Sequence, residues 1–501
     1  MRFTEQNVIA EIDRLAEERR EAILSRPDTL AIAGTTYYVS TRGDDANDGR
    51  SPETPWRTLS KVSTTELQPG DGVLFCRGEI FRGTVKTQRE ITYGAYGKGK
   101  KPRFYGWDYD LADPALWELS DAEHHIWKMK NKILDPGTLV FNEGEAHSYK
   151  LIPSYIRGQF VCRDTDRPFE MREEMQRDLD IYWHFEEIMT TVLTKGEDFP
   201  IPDMTSRSYG DLYLRCDRGN PGEVFASIEA VTRRAMFSVG SPQTNVHIDN
   251  LCIKYVGIHG IAAGGTSVKG LHVTGCEFGW IGGTIQGYQG TDPNHPAGIH
   301  GEVTRFGNAI EIYGGCEDYL VKDCYIYQVY DAGITHQVST GDKVWEMKKI
   351  RYIDNLVEDC VYGIEYFLDM NLGENDSRME DIEMSGNLLR RSGYGWGQQR
   401  HNKHTPALIK GWSYVNRAQN YSVHDNIFDR SAYRMLHLVA KEQESCPLME
   451  RNVYVQHKGG MLGQYGGNAE EEPPILYFDD NVETSVREVL GDRDAEIYVL
   501  E

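Results

Sequence analysis

A short pattern recurs through the second half of the chain and restricts its fold more than any other feature. It reads apolar–x–apolar–x–x–(Asn, Cys or Leu)–x–apolar, and successive copies lie 25 to 48 residues apart. Repeats of this length are typical of solenoids, in which each coil buries its apolar face only by stacking on its neighbours. The sixth positions of the copies are Leu251, Cys276, Cys324, Asn355, Asn387 and Asn426, with a weaker copy at Asn452.

The composition argues against several classes of partner. The 501 residues include 77 acidic and 54 basic side chains, a formal net charge of −23, which does not favour nucleic acid or an anionic membrane. No apolar run approaches the ~20 residues that cross a bilayer, and residues 1–26 contain no signal-peptide core. Cys276 and Cys324 share the repeat position of asparagine, so we expect buried thiols rather than disulfides. Together these features predict a cytoplasmic protein.

The ends of the chain and one long interruption of the repeat indicate the domain organisation. Val8, Ile12 and Ile23 lie on one side of an amphipathic N-terminal helix. We expect this helix to cover the open end of the solenoid, because an uncovered edge invites strand addition. The predicted division is a helical cap over residues 1–34, the solenoid over 35–480 with an insertion at about 110–240, and a C-terminal cap over 481–501.

Several longer motifs stand outside the repeat. They are residues 37–40 (YYVS), 47–49 (NDG), 51–56 (SPETPW), 69–71 (PGD), 91–97 (ITYGAYG), 280–283 (WIGG), 307–311 (GNAIE) and 329–332 (VYDA). The opening motifs resemble those of bacterial right-handed parallel β-helix proteins of the pectate-lyase-like superfamily. The later ones are similar to its glycoside hydrolases, such as β-helix fucosidases and xylanases. The resemblance implies an all-β, right-handed parallel β-helix with inserted loops. The superfamily also holds lyases, epimerases and phage tailspikes, so the fold alone does not define an activity.

A second element follows each copy of the repeat, a small residue and then apolar–x–apolar. Side chains alternate between the two faces of a strand, so the residue between the apolar pair points away from the core. Stacked coils bring such residues into one line, with about 4.8 Å from one rung to the next. The predicted outward-facing column is Ala262, Glu311, Thr335, Glu365, Lys410 (in a coil of uncertain alignment) and His437.

Three acidic residues fall on neighbouring rungs of this column. Glu311 and Glu365 are predicted two rungs apart, roughly 9–10 Å along the axis, and Asp331 enters the rung between them. Glycoside hydrolysis needs one carboxyl group to protonate the leaving oxygen and a second to attack the anomeric carbon or activate water. We therefore predict Asp331 and Glu365 as the catalytic pair and Glu311 as a third carboxylate. The assignment of acid and base and the stereochemical outcome stay open.

Two long loops, at about residues 282–306 and 395–405, flank the column and favour a cleft there. Polar and aromatic residues beside it are candidates for contacts with a sugar. For His336 and for each aromatic ring, packing in the core is the alternative. The candidate substrate-binding residues are His336, Asp369, Tyr366, Trp280, Trp396, Lys410 and His437.

The sequence predicts a glycoside hydrolase that acts on oligo- or polysaccharides without a metal or cofactor. It contains no P-loop, HExxH helix, CxxC pair or GxSxG elbow. One alternative is a polysaccharide lyase that uses Lys410 or Arg434 as the base on uronates, although an acidic column repels a polyanion. Another is a non-catalytic carbohydrate-binding solenoid. The sugar, the linkage, a structural Ca²⁺ and the oligomeric state stay open.

Overall fold

The chain winds into a solenoid whose walls are three long, mainly parallel sheets, in the computed structural model of the protein. Each strand pairs with the strand one coil further along, so the coils stack as the repeat predicts. The all-β parallel β-helix is therefore confirmed. The structure describes residues 3–156, 159–162, 165, 167–184, 190–191, 201–202, 209–240, 244–264, 267–289, 300–339, 343–369, 375–400, 405–411, 417–468 and 471–501.

The three sheets take successive strands of each coil in turn. The first consists of Thr36–Val39, Gly72–Cys76, Thr92–Tyr96, Thr244–Asp249, Val268–Thr274, Cys316–Lys322, Glu346–Ile353, Arg378–Ser385, Ala418–His424 and Leu448–Glu450. The second consists of Ala146–His147, Pro136–Phe141, Ile228–Thr232, Cys252–Val256, Glu277–Ile281, Tyr325–Val329, Leu356–Glu358, Leu388–Ser392, Ile427–Ser431, Val453–His457 and Glu496–Leu500. Arg103–Tyr105 also pairs with Cys252–Val256, and Ile80–Arg82 pairs with Arg103–Tyr105. The third consists of Val85–Lys86, Phe237–Val239, Ile261–Gly264, Ile310–Tyr313, Ala332–Ser339, Tyr362–Asp369, Ala407–Gly411, Arg434–Ala440, Met461–Gly467 and Leu476–Tyr477.

The longest step of the repeat, between Cys276 and Cys324, is one coil and not two. The strand Val268–Thr274 pairs directly with Cys316–Lys322. The additional residues of this coil include an antiparallel hairpin of Thr284–Gln289 and His300–Phe306, which projects from the solenoid.

Inside the core, the asparagines of the repeat form a continuous hydrogen-bonded series, the asparagine ladder. The side-chain amide of Asn355 donates to Asn387 Oδ1 at 2.9 Å, and the same step leads from Asn387 to Asn426 at 2.9 Å and from Asn426 to Asn452 at 3.1 Å. Asn452 then donates to Asp492 Oδ2 at 2.8 Å. All these side chains are buried. The ladder therefore pairs polar groups that water does not reach.

The earlier copies of the repeat place sulfur at the ladder position. Cys276 Sγ donates to the Ile248 carbonyl at 3.5 Å, and Cys324 Sγ to the Val273 carbonyl at 3.6 Å. All nine cysteines are free. The prediction of buried thiols is confirmed for both residues.

The predicted N-terminal helix is present, but it lies along the side of the solenoid. Val8–Leu24 packs its buried face, which includes Val8, Ile12 and Ala16, on outward-pointing apolar residues of the second sheet. These residues form an apolar stripe that would otherwise face water, and the helix buries it along the side of the solenoid. The expected position over the open end is therefore corrected. The covered stripe includes Tyr325, Leu356, Leu388, Ile427 and Val453.

Other segments close the two ends of the core. At the N-terminal end the short helix Leu59–Thr64 buries Leu59 and Val62. At the C-terminal end Val482–Thr484 and the π-turn Ser485–Val489 bury Val482 and Val486 against the last coils. In the described ranges no helix is long and apolar enough to cross a membrane.

The insertion forms a separate layer with its own core. Apolar residues such as Trp117, Trp183 and Leu212 are buried there, apart from the interior of the solenoid. Its main sheet consists of Tyr149–Lys150, Asp180–His184, Tyr209–Arg215, Ile126–Met129 and Trp117–Asp121, with Ile133–Leu134 paired to Tyr209–Arg215. Ser154–Ile156 and Gln159–Val161 extend the projecting hairpin. Thr190–Thr191 pairs with Ile201–Pro202. Further short helices among the described residues are Glu5–Asn7, Pro114–Leu116, Asn142–Gly144, Met171–Glu174, Pro221–Val224, Trp396–Gln399 and Gln443–Ser445.

Candidate active site

The outward-facing column of the third sheet has the predicted register. Glu311 pairs with Ala262, and the pairing of Ile310 with Ile334 puts Glu311 beside Thr335. Lys410 fills the coil whose alignment the sequence left uncertain, because it pairs with Glu365. From Ala262 onward the series, hereafter the outer column, is Ala262, Glu311, Thr335, Glu365, Lys410, His437 and Gln464.

Glu365 lies at the centre of the outer column in surroundings that favour its protonated form. It is 7% exposed and forms an ion pair with Lys410 Nζ at 3.2 Å. Burial, reinforced by the charge of Asp331, raises the pKa of Glu365 to about 7, although Lys410 and Arg400 act in the opposite direction. A carboxyl group with such a pKa exchanges its proton near neutral pH, as a general acid must.

Lys410 supplies the positive charge beside Glu365. Its Nζ also lies 3.8 Å from the centroid of the Tyr362 ring. Burial alone would lower the pKa of Lys410, but the charges of Glu365 and Tyr362 outweigh it, and the pKa is raised. Lys410 therefore stays protonated and is poorly suited to abstract a proton.

Asp331 is the second carboxylate of the site. It stands immediately before the strand Ala332–Ser339 and is 8% exposed. Arg400 Nη1 donates to Asp331 Oδ1 at 2.5 Å, and the guanidinium of Arg400 lies 5.6 Å from the Tyr362 ring centroid. Asp331 is thus one half of an ion pair, and it lies close enough to Glu365 for its charge to raise the pKa of that residue.

A short 3₁₀-helix brings Arg400 to Asp331. The indole Nε1 of Trp396, at its start, donates to the Gln328 carbonyl of the solenoid at 2.8 Å. The side-chain amide of Gln399, at its end, donates to the Ser148 carbonyl of the insertion at 2.8 Å. Because the helix is held from both sides, the insertion supports the site from outside the solenoid.

Glu311 accepts hydrogen bonds from neutral side chains, and among the described residues no cation forms an ion pair with it. The side-chain amide of Asn308 donates to Glu311 Oε2, as does Thr335 Oγ1 at 3.1 Å. Gln337 Nε2 lies 3.1 Å from both carboxylate oxygens. The carboxylate is therefore fixed in one orientation on the outer column, with 7% of the residue exposed.

His259 joins the site beside Glu311. The backbone N–H of Asn308 donates to His259 Nδ1 at 3.0 Å, so the ring carries its proton on Nε2. Burial lowers the pKa of His259, although the charges of Glu311 and Asp331 act in the opposite direction. A neutral histidine with an Nε2–H donor therefore lies near two of the carboxylates.

Two of the predicted substrate contacts point into the core. His336 and Tyr366 follow Thr335 and Glu365 directly, so the alternation of the strand puts them on the inner face. Their rings stack with centroids 5.4 Å apart, and His336 Nδ1 lies 2.9 Å from the Tyr352 hydroxyl oxygen. Burial lowers the pKa of His336 to about 3. The prediction that these two residues touch a sugar is corrected.

The two predicted tryptophan platforms are also buried. Trp280 is 5% exposed and Trp396 is 1% exposed, and both pack in the cluster between the second sheet and the insertion. Neither ring offers a face to a sugar, which corrects that prediction as well. Asp369 ends a strand of the third sheet, but its side chain lies outside the described residues.

The sequence reasoning missed four residues of the site, Arg400, Asn308, Gln337 and His259. Gln337 was within reach, because it follows Thr335 by two positions and shares its face. The other three come from connecting segments, whose path no periodicity describes. Asn308 does lie in the 307–311 (GNAIE) motif, three positions before Glu311, and this motif is the signal that could have found it. The sequence contains no signal that would place Arg400 or His259.

The chain is thus a parallel β-helix that gathers three buried carboxylates, Glu311, Asp331 and Glu365, on and beside one column of its third sheet. No family model matches it. A stretch of 135 residues is 41% identical to lacto-N-biosidase of Bifidobacterium longum subsp. longum, which covers 23% of this chain and 8% of that protein. The chain thus spans a small part of its curated relative.

Several solved structures are similar at low sequence identity. A complex of XylC with xylose is 11% identical, with a TM-score of 0.41 over 93% of this chain and 82% of that one. The GH136 lacto-N-biosidase from Eubacterium ramulus is 13% identical, with a TM-score of 0.32 over 97% and 70%. A further structure described as a glycoside hydrolase is 10% identical, with a TM-score of 0.41 over 92% and 99%. These values carry no assignment of function.

Proposed function

We propose that the protein is a glycoside hydrolase that cleaves oligo- or polysaccharides with Glu365 and Asp331. The observation that carries the proposal is the contrast between two neighbouring carboxyl groups. Glu365 has a pKa raised to about 7, and Asp331 is paired with Arg400. Glycoside hydrolysis needs one carboxyl group that donates a proton and a second that acts as nucleophile or base, and the raised pKa of Glu365 fits the first role.

The roles follow from these environments. Glu365 protonates the glycosidic oxygen as it leaves, because its raised pKa keeps a share of the molecules protonated at neutral pH. Asp331 attacks the anomeric carbon or deprotonates a water molecule. Glu311, clamped by Asn308 and Gln337, accepts hydrogen bonds from sugar hydroxyls. His259 donates from Nε2 to the same part of the substrate.

The partial match to a lacto-N-biosidase supports a carbohydrate as the substrate. The lyase alternative is weaker, because it requires Lys410 or Arg434 to lose a proton. Lys410 is paired with Glu365, and its pKa is raised. Nine free cysteines are consistent with the predicted cytoplasmic location, which we retain as part of the proposal.

The test is a substrate panel of aryl glycosides, neutral oligosaccharides and uronate polymers. We expect new reducing ends without an unsaturated product. Glu365→Gln and Asp331→Asn are expected to lose this activity, and Glu365→Gln is expected to keep more of it on aryl glycosides, whose leaving group needs less protonation. Unsaturated products would indicate a lyase. Binding without turnover would indicate a non-catalytic solenoid.

A further inference from the structure

The outer column changes its chemistry after Glu365. Glu311 and Glu365 give the first part of the outer column its carboxylates, but the next three positions are Lys410, His437 and Gln464. Arg434 starts the same strand as His437, and its Nη1 donates to Gln464 Oε1 at 2.8 Å. This second part of the outer column, hereafter the donor half, consists of Lys410, Arg434, His437 and Gln464.

The positive charge of the donor half is only partly neutralised. Lys410 is paired with Glu365. Arg434 has a neutral partner in Gln464, and among the described residues no carboxylate forms an ion pair with it. A guanidinium without a carboxylate in a chain of net charge −23 is a ready site for an external anion.

His437 lies between the two cations. Its Nδ1 is buried and, within the part of the chain that the structure describes, has no hydrogen-bond partner. Burial, followed by the charges of Arg434 and Lys410, lowers the pKa of His437 to about 3. The ring is therefore a neutral group in a region of positive potential, which favours an acceptor atom of a ligand.

An exposed aromatic ring stands at the same end of the column. Tyr433 is 39% exposed, and the guanidinium carbon of Arg434 lies 4.9 Å from its ring centroid. Aromatic faces of this kind pack against sugar rings, and the arginine holds this one in place. The donor half thus combines a surface for a sugar ring with a guanidinium that, in the described part of the chain, has no carboxylate partner.

We propose that the donor half binds a sugar unit that carries an anionic group, with that group at Arg434 and His437. The proposal rests on the proposed glycoside hydrolase function. His437 lies two rungs from Glu365, about 10 Å along the axis, so the acidic unit would occupy a position next to the sugar that is cleaved. The anion is a carboxylate of a uronic acid or a sulfate ester.

The experiment compares matched substrates on the wild-type protein. Oligosaccharides of one linkage are prepared in three forms, in which the unit beside the cleaved sugar is neutral, oxidised to the uronate, or sulfated. We expect kcat/KM at least about tenfold higher for an anionic form than for the neutral one, and a preference that falls with added salt. Whichever anionic form is preferred identifies the anion.

Two variants locate the effect. Arg434→Gln is expected to raise KM for the anionic substrate about tenfold and to leave kcat and the neutral substrate nearly unchanged. Arg378→Gln removes an exposed arginine of the first sheet as the matched control and is expected to change neither. Equal kcat/KM for neutral and anionic forms, or an anionic preference that survives Arg434→Gln, would overturn the inference while hydrolysis itself stands.

If none of the substrates is cleaved, the proposed function fails, and binding decides the inference separately. Calorimetric titration with the same three oligosaccharides is then expected to show tighter binding of an anionic form, lost in Arg434→Gln. Equal binding of all three forms would refute the donor half as an anion site.

Discussion

Two polar columns run along the same solenoid, one inside and one outside, and they follow opposite rules. The asparagine ladder repeats one residue from coil to coil, and each amide hydrogen-bonds to the next before Asp492 ends the series. The outer column has a different residue at almost every rung, and its members hydrogen-bond to side chains from loops as well as to each other. The same coil-to-coil register of the strands lines up the residues of both columns.

The difference shows which positions serve the fold and which serve chemistry. A uniform buried ladder satisfies each coil in the same way, so every member stabilises its neighbours. For the stacking of the coils, a row of threonines would serve as well as the mixed residues of the outer column. The outer column does bring Glu365 and Lys410 together, and the charge of each shifts the pKa of the other. Substitutions in the two columns should therefore separate stability from activity.

The largest expected effect is on activity, in the outer column. Glu365→Gln removes the proposed general acid and is expected to lower kcat for unactivated oligosaccharides by about 10³-fold. The unfolding temperature should change little, because glutamine still accepts a hydrogen bond from Lys410. Hydrolysis rates and thermal unfolding are measured on the same samples.

Glu380→Gln is the matched control, since Glu380 is a solvent-facing glutamate of the first sheet that pairs with Arg378. It should keep full activity. Retention of full activity by Glu365→Gln would exclude the proposed role of Glu365.

The next effect is on stability, in the asparagine ladder. Asn387→Ala leaves the Asn355 backbone N–H and the Tyr352 carbonyl without their partner. Unpaired buried groups and the small cavity should lower the free energy of unfolding by about 2–4 kcal/mol. Urea denaturation measures the loss, and kcat of the folded variant should stay within about twofold.

Asn131→Ala, at an exposed position of the insertion, is the control for this loss. It should cost less than about 0.5 kcal/mol. A ladder variant as stable as this control would show that the ladder does not carry stability.

The sequence predicts the positions of site residues on strands better than those of site residues on loops. Positions on strands obey the period of two and the repeat, so the register of Glu311 and Glu365 follows from sequence alone. The register of Lys410 follows only from its pairing with Glu365 in the structure. The same rule, applied one residue further, would have put His336 and Tyr366 inside. Arg400 reaches Asp331 from a loop held by the insertion, and no local pattern encodes such a long-range contact.

The N-terminal helix gives the same lesson in another form. Its amphipathic pattern predicts a buried face, and that face exists. The amphipathic pattern does not predict which surface of the solenoid the helix covers. That surface is set by an outward-pointing apolar stripe whose members, such as Leu356 and Leu388, come from separate coils.

A smaller effect concerns the pH dependence that the outer column imposes on activity. Because the proposed acid is active when protonated, kcat/KM is expected to fall as pH rises through about 7, the pKa of Glu365. Lys410 lowers that pKa, so Lys410→Met should raise it and move the alkaline limb of the profile upward by about one pH unit.

Lys348→Met removes a lysine of the first sheet that pairs with Glu346, and serves as the control. Its profile should coincide with that of the wild type. An alkaline limb that stays in place or moves downward in Lys410→Met would contradict the ion pair as the source of the effect.

The smallest expected effect is at the end of the asparagine ladder. Burial raises the pKa of Asp492 despite hydrogen bonds from Asn452 and Tyr454. Since the folded state holds this proton more tightly than the unfolded chain, its contribution to stability is complete below the ordinary pKa and is lost as pH rises through the raised one.

Asp492→Asn keeps an acceptor for Asn452 without titrating. Its free energy of unfolding should lie within about 1 kcal/mol of the wild type at pH ~4 and decline less between pH ~4 and ~7, as measured by urea denaturation at several pH values. An equal decline in both proteins would mean that Asp492 ends the ladder as a charged residue.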